Sequence, residues 1–259
     1  MSTCFYRWLH SLLTCEGERY AKIRVLKLMD PCIKFHNPED EQKLLERMVS
    51  TPSISIADQW EAFLESARNE QDVQDFLERH PSMLPGLFDY HNGPLHRIIV
   101  SKFPFGADYV SDFAFVSRHS MALQFTFVEI ENPRKRIFTK NGLFTRDFNQ
   151  ARQQIADWKV WVEKNLDTLM QMFSAMFDTY NAWNDYKTFR FYLLYGRRNE
   201  IDSTKRRKER WSSIMATGDR LSFVLSYDRL GRFHDKMADN ELVVCNYQGG
   251  EFFAKSDII

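Results

Sequence analysis

The chain has 259 residues, long enough for a substantial core, either as one large domain or as one domain with an appendage. Its 35 Lys and Arg balance 35 Asp and Glu, so no global basic field attracts nucleic acid, and any such binding rests on local patches. The cysteines Cys4, Cys15, Cys32 and Cys245 form no CxxC pair, which argues against a zinc site or disulfide framework and for reduced thiols in a cytoplasmic protein. The opening CFYRWLHSLL is interrupted by Arg7 and His10 with no small-residue cleavage site after it. No stretch approaches the roughly 18 apolar residues of a membrane-spanning helix, so a soluble protein with no membrane contact is expected.

In chain order, residues 1–56 read as a small amino-terminal region and 57–259 as the main domain. The first region holds an apolar-basic stretch, RYAKIRVLKLM, a helix over PEDEQKLLERMV and a linker, TPSISI. Amphipathic helices follow at WEAFLESA and DVQDFLERHP, the second ended by Pro81. Three strands are then predicted at 96–103, 109–117 and 122–131, rich in Val, Ile and Phe and joined by short turns as an antiparallel meander. A polar loop leads to one long helix from about Asp147 to Phe177, with Ala151, Ile155, Trp158, Val162 and Leu166 at helical spacing. A strand at 189–196, a basic helix at 203–216 and the strands LSFVLSY and ELVVCNY complete the order, with no internal repeat.

The segment ALQFTFVEIENP, 122–133, carries the most chemistry. An apolar strand ends in Glu129 and Glu131, which share a face with Cα atoms roughly 6.6 Å apart. Asp112 lies in the preceding strand, where a hairpin could bring it alongside. Three converging carboxylates are what a hard divalent cation asks for, and they point to metal-dependent phosphodiester chemistry. The plainer alternative has the two glutamates exposed at a strand end and Asp112 capping a turn. His80, His91, His96 and His234 show no ligand spacing, and there is no Gly-rich phosphate loop or nucleophile elbow.

FLERHPSMLPG, SDFAF, VEIENP and QQIADWKVW, in that order and spacing, resemble the carboxy-terminal domain of Shedu anti-phage defence proteins, within the PD-(D/E)xK nuclease superfamily. The likeness covers roughly residues 57–250. It implies a restriction-endonuclease-like α/β fold, a mixed central sheet flanked by helices with a small amino-terminal appendage, and a metal-dependent DNA endonuclease or nickase in anti-phage defence. A catalytically degenerate nuclease fold acting as a nucleic-acid-binding or assembly module is the alternative.

On this resemblance Asp112 and Glu129, with the backbone carbonyl of Ile130, hold Mg²⁺ or Mn²⁺. Glu131 stands where the family usually has lysine. It would take a proton from the attacking water or ligate a second metal, and Lys135 or Lys140 would replace the missing cation. Gln154 with Trp158 resembles a Gln-xxx-Tyr helix motif, with Gln150 as competitor, and Glu78 is an acidic candidate on the lead-in helix. The basic candidates for DNA contact are Arg134, Lys135, Arg136 and Lys140, beside the acidic site, and the cluster Lys205, Arg206, Arg207, Lys208 and Arg210. DNA is the expected partner, self-association into a homo-oligomer is implied by the family, and residues 1–56 could engage a regulatory partner.

Overall fold

The computed structural model describes residues 32–49, 56–87, 93–178, 181–217, 220–232, 239–256 and 258. The apolar-basic stretch at 19–29, the linker at 51–55, His91 and His234 lie outside them.

Eight strands form one mixed sheet: β1 (Ile33–Lys34), β2 (Ile98–Phe105), β3 (Tyr109–His119), β4 (Ala122–Ile130), β5 (Tyr186–Leu194), β6 (Ser222–Leu225), β7 (Val243–Gln248) and β8 (Glu251–Ala254). Their order is β1-β8-β7-β2-β3-β4-β5-β6. The expected meander is present, since β2, β3 and β4 pair antiparallel, while β5 and β6 add in parallel beside β4 and β7 runs parallel to β2. Among the described residues the α-helices are α1 (Pro38–Val49), α2 (Ile56–Ser66), α3 (Glu70–Arg79), α4 (Arg146–Lys164), α5 (Leu166–Met172), α6 (Ser174–Asp178), α7 (Arg198–Asp202) and α8 (Lys205–Thr217). This is the mixed sheet flanked by helices that the sequence leads one to expect.

Alternation along the strands sorts two cores, one per face of the sheet. Ala114, Val116, Phe125 and Phe127 enter one with Trp158, Ile155 and Phe173 from α4 and its successors. Phe113, Phe115, Val128 and Ile130 enter the other with Trp60, Val73, Phe76 and Leu77 from α2 and α3. The many phenylalanines are spent here: Phe103, Phe105, Phe113, Phe115, Phe125 and Phe127 are all fully buried, and each such ring contributes about 2–3 kcal/mol of transfer free energy.

Three differences from the sequence reading have local causes. The single helix expected over 147–177 is three helices. At Asn165 the backbone leaves helical geometry (φ −125°, ψ 33°); its amide makes the last helical bond of α4, to the Trp161 carbonyl, which also accepts the Asn165 side-chain Nδ2 at 2.9 Å and so caps the end. Strand β8 is additional, closed onto β7 by Gly249 and Gly250, whose positive φ values of 59° and 91° suit the two-residue turn between paired Gln248 and Glu251. Strand β1 is too short to leave a period-two signature. It pairs with β8, and Leu44, Leu45 and Met48 of α1 join the α4-side core, so residues 32–49 pack as part of the main body.

Candidate metal and phosphodiester site

Register explains how the acidic residues meet. Phe113 of β3 pairs with Val128 of β4, and one step further along the same antiparallel ladder Asp112 stands opposite Glu129. Both continue the face set by Ala114 and Phe127, under α4. The two carboxyls are buried, and that of Asp112 lies close enough to act on the protonation of Glu129. Asp112 also accepts the Ile130 amide on Oδ2 at 2.7 Å. Burial first, then the neighbouring Asp112 carboxylate, push the Glu129 carboxyl well above the ordinary carboxylate range. The plainer alternative therefore does not hold at Glu129, which is 9 % exposed.

Gln154 reaches this pair from α4. That helix starts at Thr145, whose hydroxyl accepts the Phe148 amide, and Trp158, fully buried against Phe105 at 5.0 Å, fixes its rotation. One turn before Trp158, Gln154 Nε2 donates to Glu129 Oε1 at 2.7 Å. Gln150, the competitor, is exposed.

Glu131 takes a different partner. Its side chain pairs with Lys135, four residues on, and its backbone is held by the buried Tyr227 hydroxyl, which accepts the Glu131 amide at 2.9 Å and donates to the Glu131 carbonyl. Trp60 of α2 in turn donates to the Tyr227 carbonyl at 3.0 Å. The expected convergence of three carboxylates becomes a contacting pair with a third nearby. Among the described residues, no group of three or more His, Cys, Asp or Glu side chains is arranged to hold a metal by itself.

Two charged residues escaped sequence reasoning. Lys102 of β2 pairs with Asp112 Oδ1, and it is charged: burial alone would lower its pKa, but Asp112, Glu70 and Glu129 outweigh that and raise it. Its signal lay in the β2–β3 register, in which Ser101 pairs with Phe113 and Phe103 with Ser111, flanking a Lys102–Asp112 position. Glu70, in the first turn of α3, sits in the same field. Its pKa is raised by partial burial and then by Asp112 and Glu131. Glu78, the candidate named on that helix, belongs elsewhere. Two turns beyond Glu70, it is buried in a network with Gln74 at 2.9 Å, Ser101 and Lys255 at 2.6 Å. Burial raises its pKa, but the bonds from Gln74, Lys255 and Ser101 together outweigh this and the net shift is downward.

The basic candidates divide in the same way. Arg134 Nε donates to the Ala67 carbonyl at 2.6 Å, so its guanidinium closes the end of α2. Arg136 approaches Glu200 at 3.8 Å, and Lys140 is exposed. With Arg197, the residues Arg134, Lys135 and Arg136 line a cleft of about 300 Å³ beside Glu131. On α8, Lys205 and Arg206 are exposed, whereas Arg207 bonds the Thr139 carbonyl at 3.1 Å and lies 5.4 Å over the Phe138 ring. Arg210 bonds the Gly142 carbonyl, so these two arginines clasp the loop after β4.

Comparison with known proteins bears on this arrangement. A scan against protein families matches residues 67–230, well over half of the chain, to the family described as Shedu protein SduA, C-terminal. The chain belongs to this Shedu family. The match takes in α3, the meander with Asp112 and Glu129, the helix with Gln154 and the Tyr227 turn, and Shedu membership points to a role in anti-phage defence. A search of curated proteins finds no match. Among the described residues, no helix is long and apolar enough to cross a membrane.

Proposed function

We propose that this Shedu chain is a metal-dependent DNA endonuclease or nickase, hydrolysing phosphodiester bonds in the cytoplasm as part of anti-phage defence. The observation that carries the reading is the contact between Asp112 and Glu129 at the ends of adjacent strands, with Gln154 bonded to Glu129. Two buried carboxyls pressed together retain a proton because neither ionises easily beside the other, and a divalent cation relieves that repulsion. The donor set fits Mg²⁺ or Mn²⁺, since Mg²⁺ takes one or two carboxylates and fills its remaining positions with water and substrate phosphate. Asp112 and Glu129 would hold it with the Ile130 carbonyl. A bound Mg²⁺ would supply a Lewis acid for the phosphoryl oxygens.

The chain's own residues supply the rest. The 2.7 Å amide bond from Ile130 fixes the Asp112 carboxylate, and Gln154 orients that of Glu129. Glu131, paired with Lys135, would take the proton of the attacking water. Arg136 in the adjacent cleft, together with exposed Lys140, Lys205 and Arg206, offers phosphate contacts along a bound strand.

The test is cleavage of supercoiled and linear DNA at low salt with Mg²⁺ or Mn²⁺, comparing the wild type with Glu129→Ala. Cutting lost only in the variant supports the nuclease. Carboxylate-dependent Mn²⁺ binding that is absent, with DNA still bound, supports the second reading, a degenerate fold acting as a binding or assembly module. The Glu131–Lys135 pair at the usual lysine position favours that second reading. Self-association is expected of this chain and is read from its mass in solution. Because residues 32–49 pack into the sheet, a regulatory role of the amino-terminal region is tested by deleting residues 1–31 alone.

A further inference from the structure

We infer that Lys102 is the cation that faces the scissile phosphate, replacing from strand β2 the lysine that the Glu129–Glu131 segment lacks. The inference rests on the nuclease reading above and adds a catalytic residue to it.

Three observations carry it. First, Lys102, Asp112 and Glu129 form a row across three neighbouring strands, because the β2–β3 and β3–β4 registers place first Lys102 and then Glu129 opposite Asp112. The ammonium therefore touches Asp112 of the carboxylate pair and feels the charge of Glu129, whereas Lys135 is taken up by Glu131. Second, Lys102 is the one exposed position in a strand whose other residues are buried or half-buried, and its side chain is 45 % exposed while Asp112 is 7 % exposed. It lies on the open side of the pair, the side a substrate would reach. Third, its φ is +50°, a conformation that favours glycine or asparagine and that costs an L side chain free energy. The turn has a visible effect: Val100 and Phe103, three apart, both enter the α4-side core, so the alternation of β2 is reset at Lys102. An ion pair on an exposed strand needs no such backbone, and a lysine is a poor choice there unless its amine is used.

In the reaction the water oxygen bonds to phosphorus as the bond from phosphorus to the leaving oxygen breaks. The water's proton leaves to Glu131 or solvent, and no electrons are transferred. Negative charge grows on the non-bridging oxygens, and an ammonium fixed beside the carboxylate pair neutralises it without rearrangement.

The experiment compares the wild type with Lys102→Met and Lys102→Arg for nicking of a supercoiled plasmid in Mn²⁺, for Mn²⁺ affinity, and for binding of a short duplex in Ca²⁺ across a salt series. Lys102→Met should lose about 100-fold or more in cutting. It should bind Mn²⁺ as tightly as the wild type or more tightly, because a cation has left the carboxylates. Its plot of log affinity for the duplex against log salt should flatten by about one unit. Lys102→Arg should restore part of the cutting. Wild-type cutting by Lys102→Met, or Mn²⁺ affinity falling together with activity, would overturn the inference while leaving the nuclease reading intact. A wild type that binds DNA without cutting leaves the salt slope to decide, and an unchanged slope overturns it. A wild type that neither cuts nor binds DNA removes both.

Discussion

Gln154 and Glu129 are joined by a 2.7 Å hydrogen bond that ties the long helix beside the sheet to the carboxylate at the end of the central strand. The bond orients a side chain whose partner, Asp112, is already fixed by a backbone amide, so the pair has few other arrangements. Replacing Gln154 with Ala should lower cleavage by about tenfold while costing about 1 kcal/mol of stability, the typical net value of one hydrogen bond. Plasmid nicking and urea denaturation measured on the same preparation separate the two effects. Undiminished cutting would show that Gln154 only fastens the helix.

The pH dependence of the carboxylate pair has a definite sign. Because Glu129 has its pKa raised in the folded protein, mainly by burial, the folded state holds the proton longer than the unfolded chain does. Metal-free stability should therefore fall as pH rises above about 4.5, the ordinary value for glutamate, and Glu129→Gln should remove that slope. Mn²⁺ must displace the same proton, so its affinity should rise by up to about tenfold per pH unit through neutrality. Calorimetric titration in buffers of different ionisation enthalpy reads the released proton directly. No proton release would contradict the assignment.

Glu78 should behave in the opposite sense. The bonds from Gln74, Lys255 and Ser101 outweigh its burial and lower its pKa, so its stabilisation is present above the unfolded value and is lost as pH falls through the folded one. Glu78→Gln should cost about 2 kcal/mol at pH 7, since Lys255 then loses a buried carboxylate, and the difference from wild type should shrink in acid. Denaturation midpoints at pH 7 and pH 3 test this, and a difference independent of pH would count against it.

Gly196 stands at the end of β5, where its φ of +65° and the Ile137 side chain leave no room for a methyl group. A Cβ there would lie 2.6 Å from Ile137 Cγ1. Gly196→Ala should destabilise the protein by about 2 kcal/mol through strain and displacement of the basic loop. Thermal unfolding is the measurement, and an unchanged midpoint would mean the loop yields freely.

Arg206 and Arg207 are neighbours with different expected roles. Arg207→Ala should cost about 1 kcal/mol, because it removes a carbonyl bond to Thr139 and a cation over Phe138. Arg206→Ala should leave stability unchanged and reduce the salt slope of DNA binding by about 1. Equal effects of both substitutions on stability would refute the division.

The sequence by itself determined six of the eight described strands and most of the helices, because apolar alternation and helical spacing are local properties of the chain, while β1 and β8 are too short to show them. It also offered Glu129, a carboxylate ending an apolar run, and Asp112, in the preceding strand where a hairpin brings it alongside, whereas Gln154 came from the resemblance to a Gln-xxx-Tyr helix motif. Only the tertiary structure decided how these charges are shared. The β2–β3 register brought Lys102 to Asp112, helical rotation sent Glu78 to Lys255 and left Glu70 near the site, and the Tyr227 hydroxyl took hold of Glu131 from nearly a hundred residues away. Those contacts depend on which strands lie side by side, and that is set by burial over the whole sheet, which no single segment encodes.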